Sequence, residues 1–210
     1  MESGIQERIR SFNKTIEVEQ NKKAILLLDE MDVKIKIGFI VFDPFTTIED
    51  LLKEIKFLRD VNYKKTGTYL AEPFGIRFPL SIYPGTAIYD KLLNLKLLSN
   101  TEKYGYKFVD HRMSIFIEKT QIWQEQLKKL TWDYTEKFYY VEDQKDVFLF
   151  NLMSETIGDI LQLDLDVCEN LLHQILQTPK EVQIEKNSFD QLSCYLEAME
   201  QHCKSIKTNA

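Results

Sequence analysis

The period of the hydrophobic positions changes several times along the chain. From Thr15 to Met31 the apolar residues Ala24, Leu27, Leu28 and Met31 recur at helical spacing with Glu and Lys between them, which predicts an amphipathic helix. Asp32 ends that pattern and "VKIKIGFIVF" begins another, in which Val33, Ile35, Ile37 and Phe39 alternate before the run becomes wholly apolar. A strand with a solvated entrance and a buried exit reads this way. In "DPFTTIEDLLKEIKFL", Pro44 stops the strand, Thr46 with Glu49 fits a capping box, and Ile48, Leu51, Leu52, Ile55 and Leu58 form one helical face. A polar linker, "NYKKTGTY", leads to "IRFPLSIYPGT", a second strand closed by a Pro-Gly turn, and "AIYDKLLNLKLL" is a further helix. The opening "MESGIQERIRSFNK" reads as the end of a strand, a small-residue bend and a helix already under way. Residues 1–98 therefore alternate helix and strand, the signature of parallel βαβ units in an α/β layer or barrel.

Beyond Ser99 the strand signals stop. Residues 113–141 carry Ile115, Ile122, Trp123, Leu127, Leu130, Tyr134 and Phe138 at helical spacing. Three more helices are expected over 146–163, 165–177 and 189–206, separated by "LDLD" and by "TPKEVQIEKNS". Two regions follow: an α/β part over 1–98 and an all-helical part over 99–210.

Composition narrows the partners. Hydrophobic residues make up 44% of 210 and charged ones 29%, enough for a packed core. A net charge of −6 argues against nucleic acid or an anionic membrane as the main partner. The longest apolar stretches, "AILLL" and "GFIVF", are too short to span a bilayer, and the first residues do not read as a signal peptide. Three cysteines (Cys168, Cys194 and Cys203) fit a reducing compartment better than a disulfide framework, so a cytoplasmic location is expected. The spacing of Cys194, His202 and Cys203 matches no zinc pattern, and helix-borne cysteines are read as small buried apolar residues.

In parallel α/β folds ligands bind at the carboxyl ends of the strands, and "ESG", "FDPFTT" and "YPGT" stand at such ends here. The series "ESGIQERIRSFNKTI", "GFIVFDPFTTIEDLLKEIKFL" and "PLSIYPGTAIYDKL", with its order, its intervals and the Asn13-Lys14-Thr15 turn, resembles the C-terminal half of a radical SAM barrel. The nearest branch is the one that often carries a cobalamin-binding domain. The likeness covers roughly residues 1–95 and implies part of a (β/α) TIM-like barrel, followed by the helical region. In that family a CxxxCxxC loop holds a 4Fe–4S cluster, S-adenosylmethionine completes the cluster, and its cleavage yields a 5′-deoxyadenosyl radical. CxxxCxxC is absent from this sequence. The resemblance therefore places the chain's start within a barrel, and implies a cluster-bearing N-terminal half or separate subunit as partner. Open strand edges would make such a half barrel prone to aggregation on its own.

The cofactor residues implied by the resemblance are few. Glu2 and Ser3 fall at the end of the family's fourth strand, where the carboxylate would accept hydrogen bonds from the polar groups of S-adenosylmethionine. Gly38 and Ile40 resemble the start of the GxIxGxxE strand beside the adenine, although Phe42 and Phe45 stand where Gly and Glu are expected. Pro84, Gly85 and Thr86 resemble the loop after strand six; Gly85 would allow a close backbone approach and Thr86 would cap the next helix. No catalytic residue and no metal ligand is assigned. The function implied is radical chemistry dependent on S-adenosylmethionine, such as methylation or maturation of a peptide or small metabolite, with the use of cobalamin left open. The alternative is a non-catalytic acidic helical binding module over 99–210.

Overall fold

The structure is a computed structural model that describes residues 3–31, 33, 39–66, 80–100, 104–143 and 146–206. Its elements are helical: α1 (Gln6–Ser11), α2 (Val18–Glu30), α3 (Ile48–Asp60), α4 (Tyr63–Thr66), α5 (Ala87–Asn94), α6 (Arg112–Lys119), α7 (Gln121–Asp143), α8 (Val147–Gln177) and α9 (Lys186–Ile206).

The expected α/β class is overturned. Among the described residues there is no strand or sheet, so a partial β/α barrel is not what the chain builds. An isolated antiparallel bridge joins Leu98 and Tyr106. Residues 34–38 and 67–79, which hold most of the two expected strands, lie outside the described residues. The carbonyls of Ile40 and Val41 accept from the Arg8 guanidinium at 3.2 and 3.0 Å. The N–H of Leu80 donates to the Phe42 carbonyl at 3.1 Å.

The helix boundaries differ from the pattern where side chains intervene. The cap of α3 is Thr47, not Thr46: Thr47 and Asp50 exchange the reciprocal bonds of the capping box, and Thr46 instead binds back to Asp43. Helix α5 stops four residues short of the apolar run because Lys96 takes φ 57° and the Leu97 N–H returns to the Leu92 carbonyl at 2.9 Å. The single helix expected over 113–141 is two. Buried Thr120 turns its hydroxyl onto the Phe116 carbonyl at 2.6 Å and ends α6.

Conversely, the two helices expected on either side of "LDLD" are one. Asp164, fully buried, accepts from Trp123 of α7, and Asp166 accepts from Arg59 of α3, so neither acid needs a break to reach a partner. Helix α8 is the hub of the molecule. It touches α3 and α4 as well as α6, α7 and α9, and its buried residues therefore run around more than one face. One continuous apolar cluster extends from Ile25 through Ile48, Leu51 and Ile55 of α3 to Leu172 and Cys203. Trp123, Leu127, Tyr134 and Phe138, named in the sequence for their helical spacing, belong to it. Among the described residues no helix is long and apolar enough to cross a membrane.

Candidate functional site

Three stretches meet around a cavity of about 670 Å³, within the usual size of small-molecule sites. The first is α1 and its exit, which contribute Arg8, Ser11, Phe12, Asn13 and Lys14. Asn13 stands at φ 57°, and the bonds from Asn13 to Arg10 and from Lys14 to Ile9 close the helix end against the cavity. The second stretch gives Ile40, Asp43, Phe45, Thr46 and Asp50. The third gives Leu80, Ser81, Thr86, Ile88 and Lys91, with Thr86 capping α5 by accepting from the Tyr89 N–H at 3.3 Å.

The cavity has an apolar side and a charged floor. Phe12, Ile40, Phe45, Leu80 and Ile88 supply the apolar surface, and Lys91 Nζ stands 4.0 Å from the centre of the Phe45 ring. The floor is a buried ionic network. Arg8 Nε donates to Asp43 Oδ2 at 3.3 Å and Arg8 Nη1 donates to Glu54 Oε1 at 3.0 Å. Asp43 also receives the Phe45 N–H at 2.8 Å and the Thr46 hydroxyl at 3.3 Å. Glu54, with no exposed side-chain surface, receives the Ser3 hydroxyl and the Gly4 N–H, the latter at 2.6 Å. Burial pushes the Glu54 carboxyl up to about 7, against the pull of Arg8, Ser3 and Gly4 in the other direction.

The residues anticipated as cofactor contacts are distributed unevenly. Ile40 and Thr86 line the cavity. Ser3 lies beneath it, buried and committed to Glu54. Pro84 and Gly85 are exposed in the turn that leads into α5 and are not among the lining residues. Gly85 has φ 84° and nothing within 4 Å of where a Cβ would stand, so its role is the handedness of the turn rather than the close approach expected of it. Glu2 and Gly38 lie outside the described residues.

Arg8, Asp43, Glu54 and Lys91 were not singled out by the sequence, and Phe45 was noted only as standing where a Glu is expected. One signal was there: Glu54 interrupts the apolar stripe of Leu51, Ile55 and Leu58, and a carboxylate on a core-facing stripe calls for a buried partner.

The donor set can be matched against the implied cofactors. The cavity offers the rings of Phe12 and Phe45, the carboxylate of Glu7 and the ammonium of Lys91, while Asp43 is committed to Arg8, Thr46 and the Phe45 N–H. The thiols do not suit a 4Fe–4S cluster. Cys168 is packed in α8 with its thiol on Asp164, Cys203 is buried in α9, and Cys194 is exposed elsewhere on α9. Among the described residues no three His, Cys, Asp or Glu side chains are grouped as metal ligands.

Comparison of the chain with protein-family models, with curated proteins and with solved structures returns no match in any of the three.

Proposed function

We propose that this chain supplies one wall of an S-adenosylmethionine site in a cytoplasmic radical enzyme whose 4Fe–4S cluster is carried by another chain or segment. The observation that carries the reading is convergence. The three sequence stretches on which the radical SAM resemblance rests, which begin near Ser3, Gly38 and Pro79, contribute the lining of one cavity, although they meet through helices and extended segments. S-adenosylmethionine, when bound, supplies the radical chemistry; the residues here bind and orient it. Phe45 and Phe12 offer faces to the base, Lys91 holds a carboxylate, and the Arg8 network keeps α1 seated as the wall. The substrate in this reading is a peptide or small metabolite, and the use of cobalamin stays open.

The competing reading, an acidic helical module over 99–210 resting on an inert scaffold, has less to support it. Helix α8 shares its apolar cluster with α3, so the two regions are joined by core contacts rather than by a thin linker.

Calorimetric titration of the full chain with S-adenosylmethionine and with S-adenosylhomocysteine tests the ligand. Saturable binding of both is expected, weakened about fivefold in Phe45→Ala or Lys91→Ala, the scale of one aromatic or cation–π contact. No binding of either, or binding indifferent to both substitutions, rejects the site. Coexpression with a cluster-bearing partner and an assay for S-adenosylmethionine cleavage then tests the chemistry.

A further inference from the structure

We propose that Lys91 is a charge selector of the cavity, favouring ligands that join a planar ring to an anionic group over the same ring without one. Such selection rests on the cavity being a ligand site and adds the chemical class that the site takes.

The selector is a contact between two walls. Phe45 belongs to the turn that precedes α3 and Lys91 to the middle of α5, and both line the cavity. Lys91 Nζ lies over the Phe45 ring, 4.0 Å from its centre. An ammonium beside the ring edge would stand farther from that centre, so one face of Phe45 is already covered.

Lys91 is held there by the ring. Among the described residues it makes no ion pair or hydrogen bond. The acids of the lining do not engage it. Asp43 is committed to Arg8 and Thr46, Asp50 to the Thr47 N–H and Lys53, and Glu7 lines the cavity from α1 without pairing with it. An exposed cation on an aromatic face is a weak contact, about two- to fivefold in an equilibrium, so a ligand can displace it.

Displacement is where ligands are told apart. A planar ring that takes this face of Phe45 must first move the ammonium aside. A neutral ligand forfeits the cation–π contact and offers nothing in return. A ligand with a carboxylate or phosphate beside its ring gives the displaced ammonium a charge-assisted hydrogen bond instead. Ring and charge are therefore read together, and the preference is a difference between two affinities. Removing Lys91 should act with opposite sign on the two ligands, which the plain loss of a favourable contact does not produce.

Calorimetric titration of the full chain tests this with two pairs of compounds that keep the base and remove the anionic group: S-adenosylhomocysteine with 5′-methylthioadenosine, and adenosine monophosphate with adenosine. Lys91 is exposed, so Lys91→Ala leaves the core unaltered. In a pair that binds, Lys91→Ala should weaken the charged member about fivefold and tighten the uncharged one about two- to fivefold. Lys91→Arg should restore the original order, because a guanidinium keeps the charge and stacks on the ring. Changes of the same sign in both members, an unchanged uncharged member, or no binding by any of the four compounds overturns the selector. The two readings of the cavity fail separately. S-adenosylhomocysteine that binds without the inversion rejects the selector and leaves the proposed ligand standing. Inversion in the adenosine monophosphate pair, with no binding of S-adenosylhomocysteine or S-adenosylmethionine, upholds the selector and rejects that ligand.

Discussion

The indole N–H of Trp123 donates to Oδ1 of Asp164 at 2.8 Å, and neither side chain is exposed to solvent. This bond joins α7 to the middle of α8 at the point where the sequence pattern suggests a break. Trp123→Phe keeps an aromatic ring against Phe189, 5.4 Å away between centroids, but removes the donor. The expected loss is about 1–3 kcal/mol, the cost of stripping a partner from a buried acceptor. Urea unfolding measures it, and a change under about 0.5 kcal/mol would mean the bond contributes little.

Gly4→Ala places a methyl into the Phe57 ring. Relief requires α1 to lift from α3, so the substitution should destabilise by about 1–3 kcal/mol and raise amide exchange over residues 3–14 ahead of α8. Uniform exchange across the molecule would show that the segment is not a separable unit.

Arg59 spans two carboxylates of α8, Asp166 at 2.7 Å and Glu169 at 2.6 Å, and Lys64 reaches Asp159 at 2.6 Å. These pairs stand along the seam between α3–α4 and α8, but they are partly solvated. Arg59→Ala should cost no more than about 1 kcal/mol in dilute salt, and the difference should fade in concentrated salt. A larger, salt-independent cost would point to the packing of the arginine stem instead.

Stability against pH should have two limbs of opposite origin. Hydrogen bonds from Arg112 hold the Glu49 carboxyl below its ordinary 4.5; at Asp110 burial pushes upward, but the Arg112 side chain and N–H together with the Ile48 N–H hold that carboxyl low as well. Groups lowered on folding stabilise the protein above their unfolded values and lose that contribution as the pH falls through the folded ones. Arg112→Gln should therefore flatten the acid limb below 4.5. Glu54, raised on folding, acts in reverse, so Glu54→Gln should remove a decline in stability between 4.5 and about 7. Thermal melts across this range separate the two. A single limb shared by both variants would contradict the assignment.

Helix positions were largely legible because periodicity is local. The stripe of Ile48, Leu51, Ile55 and Leu58 needs no knowledge of what covers it, and Thr86 caps α5 as its place before "AIYDKL" implies. Site residues were harder to read. Ile40 was named from the likeness to the strand beside the adenine and Thr86 from the likeness to the loop after strand six, and both line the cavity although that fold is absent among the described residues. The pairing of Lys91 with Phe45 went unread because a cation over a ring is a contact between residues 46 positions apart, with no spacing to betray it.

By itself the sequence determined where the apolar faces lie, which residues can end a helix, and that its thiols cannot assemble a CxxxCxxC cluster. Each of these is a property of neighbours along the chain. Only the tertiary structure decided whether "LDLD" would interrupt a helix. That outcome turns on distant partners: Trp123 and Arg59 satisfy Asp164 and Asp166. A backbone or carboxylate group accepts whichever donor the fold brings to it, and the order of residues along the chain does not encode which one arrives.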